Sequence, residues 1–111
     1  MEVKLIGDKR CVLVKISEDL DHHTATQIKK STDSKIKSSN AINVIFDFSN
    51  VEFMDSSGIG VIMGRYKMTK ILGGSVIIYG VNKQIRRIIE MSGIDKIITL
   101  CKSFDEAIKM L

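Results

Sequence analysis

The chain has 111 residues, 44% of them hydrophobic and 27% charged, with no proline or tryptophan and a formal net charge of +4 at pH 7. That length suits one domain around one core and leaves no room for a second. No apolar run nears the roughly 20 residues of a membrane helix, and Met1-Glu2-Val3-Lys4 does not open a signal peptide, so the expectation is a cytoplasmic protein with no membrane partner.

Cys11 and Cys101 each sit in an apolar, strand-like run, with no second Cys or His at metal-ligand spacing. They read as reduced, packed thiols, and no metal is expected. The lysines are spread along the chain and the few aromatic residues form no stacking platform between them, so the positive charge reads as solvated surface rather than a nucleic-acid site. An acidic partner stays compatible with it.

In chain order, Glu2 to Gly7 reads as a strand and turn, and Cys11 to Ile16 as a second strand joined to it in an antiparallel hairpin at or near a sheet edge. Asp21 caps a helix through the high thirties, with Ala25, Ile28 and Ile36 as a thin buried stripe and lysines outside. Asn43 to Phe48 is nearly continuous in apolar residues, as a strand buried on both faces is, and completes a βαβ unit.

A helix then starts at Asp55-Ser56-Ser57, with Ile59, Ile62, Met63 and Tyr66 at the spacing of one helical face, and runs to Leu72 before Gly73-Gly74. Gly60 and Gly64 lie one turn apart. Each costs about 1 kcal/mol relative to alanine, which predicts a close backbone approach there. Ser75 to Tyr79 is the fourth strand, and Asn82 caps a helix with Ile85, Ile88 and Ile89 inward. Ile97 to Cys101 is a fifth strand, and Ser103-Phe104-Asp105-Glu106 is a capping box before a last helix with Ala107, Ile108 and Leu111 inward. The expected fold class is α/β, a single domain with a mixed sheet of about five strands and about four helices.

Chemistry concentrates at residues 55–57. One capping side chain serves a helix start, and three stand in a row, which leaves a serine hydroxyl free beside the positive helix end, where phosphate is welcome. A plain cap remains the alternative. A hydrolase nucleophile elbow fails because glycine is missing two residues before Ser56 and on both sides of Ser57. A dinucleotide fold fails because Gly58, Gly60 and Gly64 do not follow the strand directly. Adjacent His22 and His23 diverge by about 100° on a helix and do not chelate one metal.

Asp55-Ser56-Ser57-Gly58-Ile59-Gly60, Gly64-Arg65-Tyr66-Lys67, Gly73-Gly74, Asp21-His22-His23-Thr24-Ala25 and Met91-Ser92-Gly93 together resemble STAS-domain anti-sigma factor antagonists, nearest to those that oppose the anti-sigma F kinase in sporulation. The likeness spans almost the whole chain. It departs at Ser17-Glu18-Asp19, where relatives carry a glycine before the acidic residue. It implies a STAS fold and a binding protein rather than an enzyme, with no cofactor. Its partners would be a nucleotide-bound anti-sigma serine kinase, which phosphorylates Ser56 and thereby loses its hold, and a serine phosphatase that resets the switch.

The resemblance, not spacing, favours Ser56 over Ser57. It nominates Asp21, Asp55, Ser56, Ser57, Gly58, Ile59, Met63 and Arg65 as partner contacts, with Asp21 on the surface that carries the serine. A STAS module serving another complex, a stress scaffold or a lipid- or nucleotide-sensing regulator, is the second expectation.

Overall fold

The computed structural model describes residues 1–111. Five strands, β1 (Glu2–Ile6), β2 (Cys11–Lys15), β3 (Asn43–Asp47), β4 (Val76–Tyr79) and β5 (Thr99–Cys101), form one sheet in the order β1-β2-β3-β4-β5. Four α-helices, α1 (His22–Lys37), α2 (Ser56–Leu72), α3 (Lys83–Ser92) and α4 (Phe104–Lys109), fill the connections, with 3₁₀ turns at Gly7–Lys9 and Ile94–Lys96. The expected α/β architecture with a mixed sheet is therefore the observed one.

The β1–β2 pair is antiparallel because only Gly7–Lys9 and Arg10 separate its strands. Arg10 closes that turn at φ 50°, with its N–H donating to the Gly7 carbonyl. The other pairs are parallel, as crossover helices require. Alternation sends Val12, Val14, Val44, Phe46, Val76 and Ile78 to the main core with α1, α2 and α3. Cys11, Leu13, Ile45, Ile77, Tyr79 and Cys101 face the other way, where α4 contributes Ala107. Both faces of β2, β3 and β4 are buried, so their sequences are apolar without alternation. Burial pushes the Cys11 thiol up to about 12 and raises Cys101 as well, and both cysteines are free.

Some expectations need correction. β4 begins at Val76 rather than Ser75, and β5 begins at Thr99 rather than Ile97 because Ile94–Lys96 takes up a 3₁₀ turn first. The face that α2 buries is Gly58, Val61, Ile62, Arg65 and Thr69, rotated from the predicted stripe, of which only Ile62 is fully buried. Apolar residues surround this helix, so periodicity did not mark its inner side.

The close approach was also assigned to the wrong glycines: a Cβ on Gly60 or Gly64 meets nothing within 4 Å. Gly58, Gly74 and Gly80 are the tight positions, where a Cβ would collide with Met54 and Leu20, with the Ile42 backbone carbonyl, or with Ser49. Gly74→Ala is expected to cost about 2–3 kcal/mol in urea unfolding, because backbone rather than a side-chain tip must move. Gly60→Ala is expected to be neutral or to gain up to about 1 kcal/mol.

Candidate functional site

The site is assembled by one short pairing between two loops. The Leu20 N–H donates to the Phe53 carbonyl at 2.9 Å and the Asp55 N–H to the Leu20 carbonyl at 3.1 Å, a parallel bridge of Leu20 with Met54. Both bridged side chains are fully buried. The residues that follow them, Asp21 and Asp55, therefore stand in step, each as the N-cap of a long helix. Two positive helix ends share one edge of the molecule.

The Asp21 carboxylate accepts from the His23 and Thr24 N–H groups at 3.0 Å each, and the Thr24 hydroxyl accepts from the Asp21 N–H at 3.0 Å, a reciprocal capping box. These bonds, that from Thr24 N–H foremost, hold the Asp21 carboxyl below the usual carboxylate range. The stability it contributes is therefore complete above that range and lost as pH falls through the lowered value. Asn caps as well as Asp and Ala does not. Asp21→Asn should keep the melting temperature at neutral pH, while Asp21→Ala lowers it by a few degrees; loss of partner binding in the Asn variant alone would mark the charge, not the cap, as the contact.

At the second helix, Asp55 does the capping: its carboxylate accepts from the Ser57 N–H at 2.8 Å. Ser56 takes no part in the cap and is exposed. Ser57 is half-buried and lines a groove of about 260 Å³ between the helices with His22, Thr26, Lys29, Gly60 and Arg65. Ile59 and Met63 are half-buried, and each packs one side against the core.

Two nominated contacts lie beneath the surface. Gly58 is buried under Met54 and Leu20, where it lets the helix start close on the bridge. Arg65 is 4% exposed, with its Nε 3.0 Å from the Asp33 carboxylate of α1. The N–H is not aligned with that oxygen, so charge rather than a directed hydrogen bond joins them. Burial lowers the affinity of the Arg65 guanidinium for its proton and Asp33 opposes that. Both are covered in the free chain, where they hold α2 in place from below.

Sequence reasoning passed over Lys29 and Thr26, which flank the groove, and Phe53, 43% exposed three residues before Ser56. Their signal was present: spacings of about one and two turns from His22 along α1, and a lone aromatic between Glu52 and the buried Met54. His22 and His23 are exposed, and no three His, Cys, Asp or Glu side chains converge in a way that could hold a metal ion. No helix is long and apolar enough to cross a membrane.

A mixed sheet with this strand order, flanked by two long helices whose starts are pinned together, defines a known class of domain. The chain belongs to the STAS domain family, whose family model matches residues 2–107. Among its relatives, an anti-sigma F factor antagonist of Paenibacillus polymyxa is 33% identical over 100 residues, covering 90% of this chain and 86% of that protein. An anti-sigma F factor antagonist of Lysinibacillus sphaericus is 27% identical over 86 residues, 78% of this chain and 74% of that one. The unphosphorylated anti-sigma factor antagonist SpoIIAA is similar to this structure with a TM-score of 0.85 at 25% identity, covering 98% of this chain and 93% of that chain. The phosphorylated form of the Bacillus cell fate determinant SpoIIAA gives 0.76 at 25% identity, with 98% and 96% covered.

Proposed function

We propose that this chain is an anti-sigma factor antagonist that works as a phosphorylation-gated binding protein in the sporulation pathway. With Ser56 unmodified it binds a nucleotide-bound anti-sigma serine kinase and so frees a sigma factor. Phosphate placed on Ser56 by that kinase ends the binding, and a serine phosphatase removes it. The chain is a substrate and a ligand in this scheme, not a catalyst.

The observation that carries this reading is the Ser56 hydroxyl, exposed at the first residue of α2 and spared from capping by Asp55. A phosphoryl group there carries about −1.5 to −2 charges and sits against the positive end of α2, so the domain tolerates it. A partner surface closed over Ser56 does not, because a desolvated, unmatched dianion costs several kcal/mol. The half-buried Ser57, turned toward α1, is the less accessible of the two serines. The names of the relatives, and the existence of SpoIIAA in phosphorylated and unphosphorylated forms, support the same reading.

The test is incubation of the protein with the anti-sigma kinase and ATP, followed by mapping of phosphate by peptide mass. Phosphate on Ser56, absent from Ser56→Ala, together with lost kinase binding is the expected result. Phosphate on Ser57 moves the switch by one residue. No phosphate from an active kinase, with no complex, rejects the scheme in favour of a STAS module serving a different assembly.

A further inference from the structure

The net charge of +4 is not shared evenly over the surface. α1 holds four lysines, Lys29, Lys30, Lys35 and Lys37, against a single acidic residue, Asp33; α2 has three basic residues and no acid, but one of them, Arg65, is buried. That one acid is occupied, because its carboxylate lies 3.0 Å from the buried Arg65. Lys29, Lys30 and Lys37 are exposed and line a shallow groove with Thr26, Asp33 and Ser34 along the outer side of the helix. Thr26 and Lys29 also line the groove that reaches Ser57, so the basic strip runs on from the serine edge without interruption.

We propose that this lysine face is a second docking surface, for an acidic segment of the protein partner that covers Ser56; the inference rests on the function proposed above. Three observations select a protein segment. The apolar residues of α1, Ala25, Ile28 and Ile36, are all buried, so the outer face has nothing to insert into a lipid surface. The helix carries no arginine to fork onto phosphates and no Phe, Tyr or Trp to stack on bases, and its two histidines stand only in its first turn. The strip is continuous with the serine edge, where that partner is to sit.

An uncompensated basic face steers an acidic partner and raises its association rate by tenfold or more at low salt. Ser57, next to Ser56, lines one groove with Thr26 and Lys29, so phosphate at this helix start adjoins the near end of the strip, where opposite charges are least screened by salt. It therefore subtracts from the attraction as well as blocking the contact. Phosphorylation thus slows association in addition to hastening release.

The experiment measures association and dissociation rates of the purified anti-sigma kinase with wild type, with Lys29→Glu/Lys30→Glu/Lys37→Glu, and with the same three positions changed to Gln, at about 50 mM and about 500 mM salt. All three positions are exposed, and circular dichroism checks that the helix is kept. Expected are an association rate at least about tenfold lower for the Glu variant at low salt, an intermediate rate for Gln, a gap that closes at high salt, and dissociation rates within about threefold. An unchanged association rate at low salt overturns the inference and leaves the function standing, as does a lysine-dependent capture of the protein by duplex DNA or by anionic phosphatidylglycerol vesicles without any effect on the kinase. No complex between wild type and kinase, or a complex that Ser56→Glu leaves intact, overturns the functional reading and this inference with it.

Discussion

Ser56→Glu will weaken the complex with the anti-sigma kinase by about a hundredfold or more, and stoichiometric phosphate on Ser56 will weaken it further, while the melting temperature of the isolated domain stays within a few degrees. The reasoning compares two environments of one charge. In the free protein the carboxylate of the variant stands in water beside the unpaired N–H groups at the start of α2, where a negative charge is favourable by a few tenths to about 1 kcal/mol. In the complex the same charge is stripped of water and meets a surface shaped for a neutral hydroxyl, at a cost of several kcal/mol. Since 1.4 kcal/mol is tenfold in affinity, the second term decides. Calorimetry on wild type, Ser56→Glu and Ser56→Ala separates charge from shape: Ala should bind within about tenfold of wild type, and equal losses for Ala and Glu would show that the hydroxyl contact matters rather than the charge.

The second large effect is on stability. Asp33→Ala should destabilise the fold by about 3 kcal/mol, the low end for breaking a buried pair because Asp33 keeps 17% side-chain exposure, whereas Arg65→Met should cost no more than about 1 kcal/mol. The asymmetry follows from what each change leaves behind. Removing Asp33 strands a guanidinium that is 95% covered, with one weak bond to the Val61 carbonyl. Removing Arg65 takes the charge out and keeps the stem volume, and the carboxylate it leaves, although its Oδ1 is enclosed, reaches water through the exposed part of the side chain. Urea unfolding of both single variants and the double tests this, and similar losses in the two singles would contradict it. Because Arg65 is enclosed, Arg65→Met should also bind the kinase within about threefold of wild type; a much larger loss would make Arg65 a partner contact.

The helix starts were the most legible part of the sequence. Asp21, Asp55, Asn82 and Ser103 all cap as their residue types predict, because capping is a local bond between a side chain and the next turn. The hairpin was legible for the same reason. What was not legible depends on distant neighbours. Which side of α2 faces inward is decided by α1 and the sheet, and a helix with Val61, Met68 and Ile71 apolar outside the Ile59, Ile62, Met63 and Tyr66 stripe does not mark one side as inner. Arg65 reads as a surface cation until Asp33 is seen beside it from another helix. The Leu20–Met54 bridge joins residues of two loops that no periodicity connects, although the position of the site depends on it.

Strand order that follows chain order has a consequence for how the domain assembles and frays. Every strand hydrogen-bonds to its neighbour in sequence, so the sheet can grow by adding one unit at a time, with no loop closure longer than a single crossover. The last unit added toward the C-terminus is the slightest, a three-residue strand with one neighbour and a six-residue helix. In hydrogen exchange, amides of residues 99–109 should open with the lowest free energies, and those of β2, β3 and β4 only with the whole domain. The Leu20–Met54 bridge lies away from that edge, so the two helix starts keep their spacing while the C-terminal unit comes and goes.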